Sequence, residues 1–297
     1  MIQREAGIVA ATVKLLFLCV FFSGGELSAQ DKTFLWKVES ERNSVYILGS
    51  IHLLNKDSYP LHRKLQEAFD KSNKLVLEID LNGVSAEKIR KLVLVKGMIS
   101  DGTALPQKIS KETYEIVVKH ATDLGLEERM IRPFKPWFVA MTMAAMKLEK
   151  LGFSASLGVD RYLAQQARQG AKPMAGLETA EFQIGFFDQF SDRLQELLLR
   201  QTVDDMDHLE KSVDQIVRAW KNGDTGAMEN LLLAAMRAYP EIHQKIIDDR
   251  NHRWLPQIEN ILSSGENALI VVGAAHLVGK AGVIELLRGR GYKVEQE

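Results

Sequence analysis

Tyr46-Ile47-Leu48-Gly49-Ser50-Ile51-His52-Leu53, near the start of the chain, and Ile270-Val271-Val272-Gly273-Ala274-Ala275-His276-Leu277, near its end, decide the reading of the fold. Each is a short apolar run, rich in β-formers, that stops at a glycine and delivers a histidine three residues later. A continuous apolar run of this length, bounded by turn residues, reads as a strand buried on both faces. Glycine at its end lets the chain turn, since it lacks a Cβ and tolerates positive φ. In open α/β sheets that carboxyl edge is where ligands bind. Both histidines are therefore expected in the crevice rather than the core.

Two further runs have the same logic with a carboxylate in place of the imidazole. Leu75-Val76-Leu77-Glu78 and Met174-Ala175-Gly176-Leu177-Glu178 read as strands that end in glutamate. A carboxylate directly after three apolar residues is costly to bury unless it is paired. The two echoes suggest a sheet of two pseudo-symmetric halves, each offering one His and one Glu.

Working outward, Phe34 to Val38 and Ser44 to Leu48 flank a polar turn and predict a hairpin, and Tyr292 to Val294 predicts a last strand. Apolar spacing near 3.6 predicts helices over 61–71, 85–95, 111–124, 136–151, 158–170 and 278–288, with almost wholly helical pattern from Ala180 to Ser263, broken near Asn222-Gly223-Asp224 and at Pro240. Thr225 is the expected cap of the helix that runs through Met236. Met141, Met143 and Met146 read as core filler rather than as a flexible binding face. The expectation is an α/β fold with a mixed central sheet, forming a single domain over 30–297. Helical insertions at about 85–170 and 180–263 would cover the loop-bearing edge.

Composition narrows the function. The chain has 297 residues, 46% hydrophobic and 26% charged, with a formal net charge of −1, the balance of a folded globular protein. No run of five like charges occurs, which argues against a nucleic-acid groove or a polybasic membrane patch. Residues 1–29 read as a secretory signal: Arg4 and Lys14 precede an apolar core from Leu15 to Phe22, and small residues lead to cleavage after Ala29. Eight strongly apolar residues are too few to cross a ~30 Å hydrocarbon layer. The expectation is an exported protein, periplasmic or secreted, with no membrane span after cleavage. Cys19, the one cysteine, falls inside that segment, so a mature chain would hold neither a disulfide nor a thiol nucleophile.

The candidate chemistry rests on His52, Glu78, Glu178 and His276. Neutral imidazole is both a common metal ligand and the usual general base near neutral pH. Two imidazoles and two carboxylates at one edge would suffice for a divalent metal with an open position, or one carboxylate would act as base toward water. His62, His120, His208, His243 and His252 lie in amphipathic or polar helices, where solvated or capping roles are expected. His-Glu-x-x-His, its inverse and the Gly-x-Ser-x-Gly elbow are all absent, so a site must be assembled from distant segments.

Six ordered motifs then give a resemblance. Gly49-Ser50-Ile51-His52, Leu77-Glu78-Ile79-Asp80, Gly158-Val159-Asp160, Gly176-Leu177-Glu178-Thr179, Arg250-Asn251 with Trp254, and Val272-Gly273-Ala274-Ala275-His276-Leu277 stand in this order. Over about residues 34 to 297 the chain resembles the TraB/GumN (Tiki-like) family of metalloproteases, itself similar to a wider group of erythromycin esterases and ChaN-like proteins. The resemblance implies that His52 and His276 are central, with Glu78 and Glu178 as ligands or catalytic carboxylates. It implies Asp160, Arg250 and Asn251 as supporting or substrate-orienting groups. An arginine there would hold a substrate carboxylate or developing negative charge, or else form a buried ion pair with Asp160 or another carboxylate. Manganese or cobalt is the implied cofactor, with zinc compatible with the same donors, and a peptide or protein the implied substrate. A metal-independent His/Glu ester or lactone hydrolase, and a non-catalytic peptide-, haem- or metal-binding protein, are the competing readings of the same cleft.

Overall fold

The computed structural model describes residues 32–79, 86–237 and 240–297, and Lys32–Glu297 forms one compact unit. The secretory reading of residues 1–29, and Asp80 of the second motif, lie outside the described residues.

Six strands form one mixed sheet in the order β4-β3-β5-β2-β1-β6. These are β1 (Leu35–Glu39), β2 (Ser44–Ser50), β3 (Lys74–Ile79), β4 (Met174–Glu178), β5 (Ala268–Gly273) and β6 (Lys293–Gln296). The first two make the expected antiparallel hairpin, with Val38 opposite Val45, and β6 adds antiparallel to β1. The remaining neighbours, β2 with β5, β5 with β3 and β3 with β4, are all parallel. Parallel strands are covered by helices on both faces and so are apolar without alternation. All six residues of β5 are buried, as are Val45 to Ser50 of β2.

The two Gly-x-x-His strands are central neighbours, so both histidines leave the sheet side by side. Their pairing is one residue out of step with the sequence echo, since Gly49 faces Val272 and Ser50 faces Gly273. Strand order does not divide into two matching halves. Both glutamate-bearing strands lie on the same side of β5, whereas the opposite flank is the antiparallel pair β1 and β6.

The predicted helices form at Arg63–Lys71, Ala86–Gly97, Lys111–Leu124, Pro136–Lys150, Val159–Gln169 and Val283–Gly289. From Ala180 onward the chain folds as Ala180–Asp188, Asp192–Asp205, Leu209–Lys221, Thr225–Arg237 and Asp249–Ser264, with shorter turns between. One local expectation is corrected. Asp224, not Thr225, caps the helix Thr225–Arg237, its carboxylate accepting from the Ala227 amide at 2.9 Å, because the chain leaves the left-handed turn at Gly223 one residue earlier. The two helical insertions share a second apolar core in which Leu105, Val117, Met143, Leu199 and Val203 are buried together. Met143 belongs to that core, whereas Met141 is nearly half exposed on the wall of a cleft above the sheet edge. Among the described residues no helix is long and apolar enough to cross a membrane.

Candidate active site

His52 and His276 meet over Gly273. A Cβ built on Gly273 would lie 3.2 Å from His52 Nε2, 3.2 Å from Glu78 Oε1 and 3.7 Å from the His276 ring. Gly273 itself has φ −54 and ψ 137, a conformation open to any residue. Close approach of three functional side chains, rather than the positive φ expected from the sequence, is therefore what demands glycine here. Gly158 has a similar duty, since its Cβ would sit 2.3 Å from the His52 carbonyl oxygen. That close contact, and the Val159 amide donating to the Ile51 carbonyl at 3.1 Å, dock the helix Val159–Gln169 against the loop after β2. Asp160, in the first turn of that helix, consequently reaches His52 Nδ1 at 3.3 Å.

Arg250 is the hub of the site. It enters on the helix Asp249–Ser264, immediately after a π-helical turn at Gln244–Asp248; such turns commonly mark functional positions. Its Nε donates to both Glu178 oxygens at 3.1 Å, and its Nη2 donates to Glu178 Oε2 at 2.8 Å and to Glu78 Oε2 at 2.6 Å. Its Nη1 reaches His276 Nε2 at 3.0 Å, and the Trp254 ring lies beneath the guanidinium at 4.6 Å. Arg250 is 7% exposed and Glu78 8%. Charges this deep persist because a planar fork can satisfy two carboxylates at once. The ion pair open at the sequence level is thus made with Glu78 and Glu178, while Asp160 serves His52.

Asn251 fixes the second imidazole. Its Nδ2 donates to the carbonyls of His276 and Ala281 at 3.2 and 2.8 Å, which leaves Oδ1 to accept from His276 Nδ1 at 2.7 Å. The proton of His276 therefore sits on Nδ1, and its bare Nε2 accepts from Arg250, which can only donate. Burial pushes His276 down to about 3, and the charges of Arg250 and His52 add to that against the opposing pull of Glu78. His276 is a neutral, locked ring.

His52 is its opposite. Half of its side chain (52%) faces the cleft. Burial of the remainder lowers its pKa, but the hydrogen bond and charge of Asp160 and the charge of Glu78, whose Oε1 is 3.8 Å from Nε2, outweigh this and raise it to about 9. Solvent in the cleft screens these effects, and the direction follows from the two carboxylates. Burial alone would raise Glu78; the imidazoles, Arg250 and the Gly273 amide at 2.7 Å hold it down to about 2. Where His276 is neutral, His52, Arg250 and the amide still set the downward direction.

Glu178 ends β4 just before Thr179, whose hydroxyl caps the next helix by accepting from the Phe182 amide. Its side chain turns to Arg250 instead of serving that helix end. Gln183, one turn into the same helix, donates to Glu78 Oε2 at 2.7 Å. No sequence signal singled Gln183 out, because a glutamine in an amphipathic helix looks like any solvated one. Two of the bland histidines do cap or brace helices, His62 accepting from the Lys64 amide and His252 Nδ1 meeting the Asp248 carbonyl.

Arg250 also decides how well the four expected ligands suit a metal. Both oxygens of Glu178, one oxygen of Glu78 and the free lone pair of His276 are spent on the guanidinium. Among the described residues no group of three or more His, Cys, Asp or Glu is arranged to hold a metal ion. The four-donor set does not fit a metal while Arg250 holds this position; only His52 Nε2 and Glu78 Oε1 still face a shared gap.

The cleft above these groups has a volume of about 510 Å³. Its floor is polar, made by Ser50, His52, Glu78, Arg250 and His276, and its walls are apolar, including Trp137, Ile184, Phe187, Ile216, Leu232 and Met236 from the insertion helices.

The chain is 25% identical over 243 residues to the uncharacterized protein YbaP of Escherichia coli (strain K12), covering 82% of this chain and 87% of that relative; the Shigella flexneri protein of the same name matches equally. An uncharacterized protein of Treponema pallidum (strain Nichols) is 20% identical over 97% of this chain and 94% of its own length. No solved structure gives a significant match. The model of the TraB/PrgY/gumN family matches residues 34–296, a span that contains both histidine turns, both glutamate strands and the Arg250 hub, and the chain belongs to that family.

Proposed function

We propose that this chain is a hydrolase in which His52, oriented by Asp160, is the general base at the polar floor of an apolar cleft. The observation that carries this reading is the asymmetry of the two imidazoles. His276 is locked and has no lone pair to offer, whereas His52 is held through Nδ1 at 3.3 Å and presents Nε2 to the open cleft. A base held by an orienting carboxylate and facing a substrate pocket is the usual arrangement for activating water.

In the proposed reaction, water oxygen attacks an acyl carbon while its proton passes to His52 Nε2. The bond from that carbon to the leaving oxygen or nitrogen then breaks, and His52 returns the proton to the leaving atom. Glu78 stabilises the imidazolium from 3.8 Å, so His52 is free to take the proton only as the pH rises toward its value of about 9. Arg250, below, keeps Glu78 charged and in place.

The metal-dependent peptidase reading has one supporting observation: His52 Nε2 and Glu78 Oε1 face each other without a hydrogen bond. Manganese, cobalt or zinc held there would polarise a carbonyl, but recruiting His276 or Glu178 as further ligands would require Arg250 to release them. Turnover of an ester and peptide panel, with and without a strong chelator and in His52→Ala, separates the readings. Chelator-resistant turnover lost in His52→Ala is expected. Full activity in His52→Ala refutes the base, and loss on chelation restored by Mn²⁺ or Co²⁺ favours the metal.

A further inference from the structure

The cleft walls specify what kind of molecule the floor acts upon. Peptide backbone carries an N–H donor and a C=O acceptor at every residue, and each costs free energy when buried without a partner. Above the floor, the described wall side chains offer aliphatic and aromatic surface, the Met141 and Met236 thioethers, one indole N–H and the amide of Gln183, whose Nε2 already donates to Glu78. A peptide threaded between them would bury most of its N–H groups against carbon. An aliphatic chain buries nothing polar.

Two polar atoms of the lining mark where the apolar part of a ligand ends. Ser50 Oγ, at the end of β2, and Trp137 Nε1, on the helix Pro136–Lys150, are both buried and have no hydrogen-bond partner. Ser50 is 2% exposed and Trp137 1%, and both residues line the cleft. Buried polar atoms of this kind are normally satisfied; neither is open to solvent as it stands, so each meets a ligand acceptor only once its side chain turns toward the cleft. An ester brings oxygen acceptors and no donor, which is the complement of an indole N–H and a hydroxyl. The volume of about 510 Å³ lies within the range of small-molecule pockets and suits a flexible chain.

We infer that the substrate class is an aliphatic acyl ester, its hydrocarbon chain lying among Trp137, Ile184, Phe187, Ile216, Leu232 and Met236 and its carboxyl carbon at His52. This rests on the hydrolase reading for turnover but not for binding, and the two are separable. Burial of each methylene contributes enough that kcat/KM rises roughly tenfold for each pair added, until the cleft is full.

The test uses a p-nitrophenyl ester series from acetate to dodecanoate on the wild-type protein, together with calorimetric titration of dodecanoate into wild type and His52→Ala. A steep rise with chain length, dodecanoate binding in both proteins, and a shorter optimum in Ile216→Trp support the inference. Turnover that is flat across the series, or hydrolysis of acetate without dodecanoate binding, overturns it while leaving the hydrolase reading standing. Dodecanoate binding without turnover of any ester supports the chain pocket and removes the catalytic reading. Displacement of dodecanoate by an uncharged apolar hexapeptide at equal concentration also overturns the inference, since such a peptide should be excluded.

Discussion

Arg250→Met deletes the hub charge while keeping a side chain of similar reach. Glu178 then loses three contacts of 2.8 to 3.1 Å and Glu78 one of 2.6 Å, and His276 Nε2 loses its donor at 3.0 Å. Glu78 keeps the Gly273 amide and Gln183, so most of the damage falls on Glu178. Removing one partner from a buried ion pair costs about 3–5 kcal/mol, because an uncompensated charge stays buried. With side-chain exposures of 9% or less for all three groups, no solvent discount applies. Urea unfolding followed by circular dichroism should show this loss at pH 7, with the melting temperature falling by roughly 10 °C. An orphaned carboxylate is relieved by protonation, so the deficit should shrink at pH 4, and Glu178→Gln added to Arg250→Met should recover part of it. A loss under about 1 kcal/mol, or one unchanged between pH 7 and 4, would refute the hub.

Three further outcomes follow from the geometry. The pH–rate profile of kcat/KM should climb through neutrality toward a plateau near the raised His52 value of about 9, and Asp160→Asn should move the rise to lower pH by removing the carboxylate that lifts it; a profile unmoved by the substitution excludes His52 as the base. Gly273→Ala places a methyl 3.2 Å from both His52 Nε2 and Glu78 Oε1, so turnover should fall by roughly tenfold or more while the melting temperature changes little, given how sharply rates respond to sub-ångström displacement. The fold should weaken on acidification: His276 and Glu78 both titrate lower in the folded state, to about 3 and about 2, so the unfolded chain takes up protons first and stability falls with pH from about 6.5 downward. A flat stability profile from pH 7 to 4 would contradict that assignment.

Much of this site was legible in one dimension because strand ends carry it. A buried run closing on Gly-x-x-His or on glutamate announces both the strand and the edge at which its polar residue emerges, which is why His52, His276, Glu78 and Glu178 were identifiable. Residues brought in sideways by helices were harder. Arg250 and Asn251 stood out only through family resemblance, and the carboxylates that Arg250 chooses depend on how the helix Asp249–Ser264 crosses the sheet. Gln183 carried no mark at all. The echo between the two histidine motifs suggested two matching halves, yet pairing registers and strand order answer to packing, and Gly49 came to face Val272 rather than Gly273. Met141 and Met143, two residues apart on one helix, divide between cleft and core for the same reason.

Ring-nitrogen NMR of the histidine-labelled protein, titrated from pH 5 to pH 10, tests the division of labour between the two imidazoles most directly. The account predicts that His52 holds its proton past neutrality and releases it well above 6.5, while His276 shows the neutral form protonated on Nδ1 throughout. Two rings titrating together near 6.5, or a His276 that charges while His52 stays neutral, would contradict it.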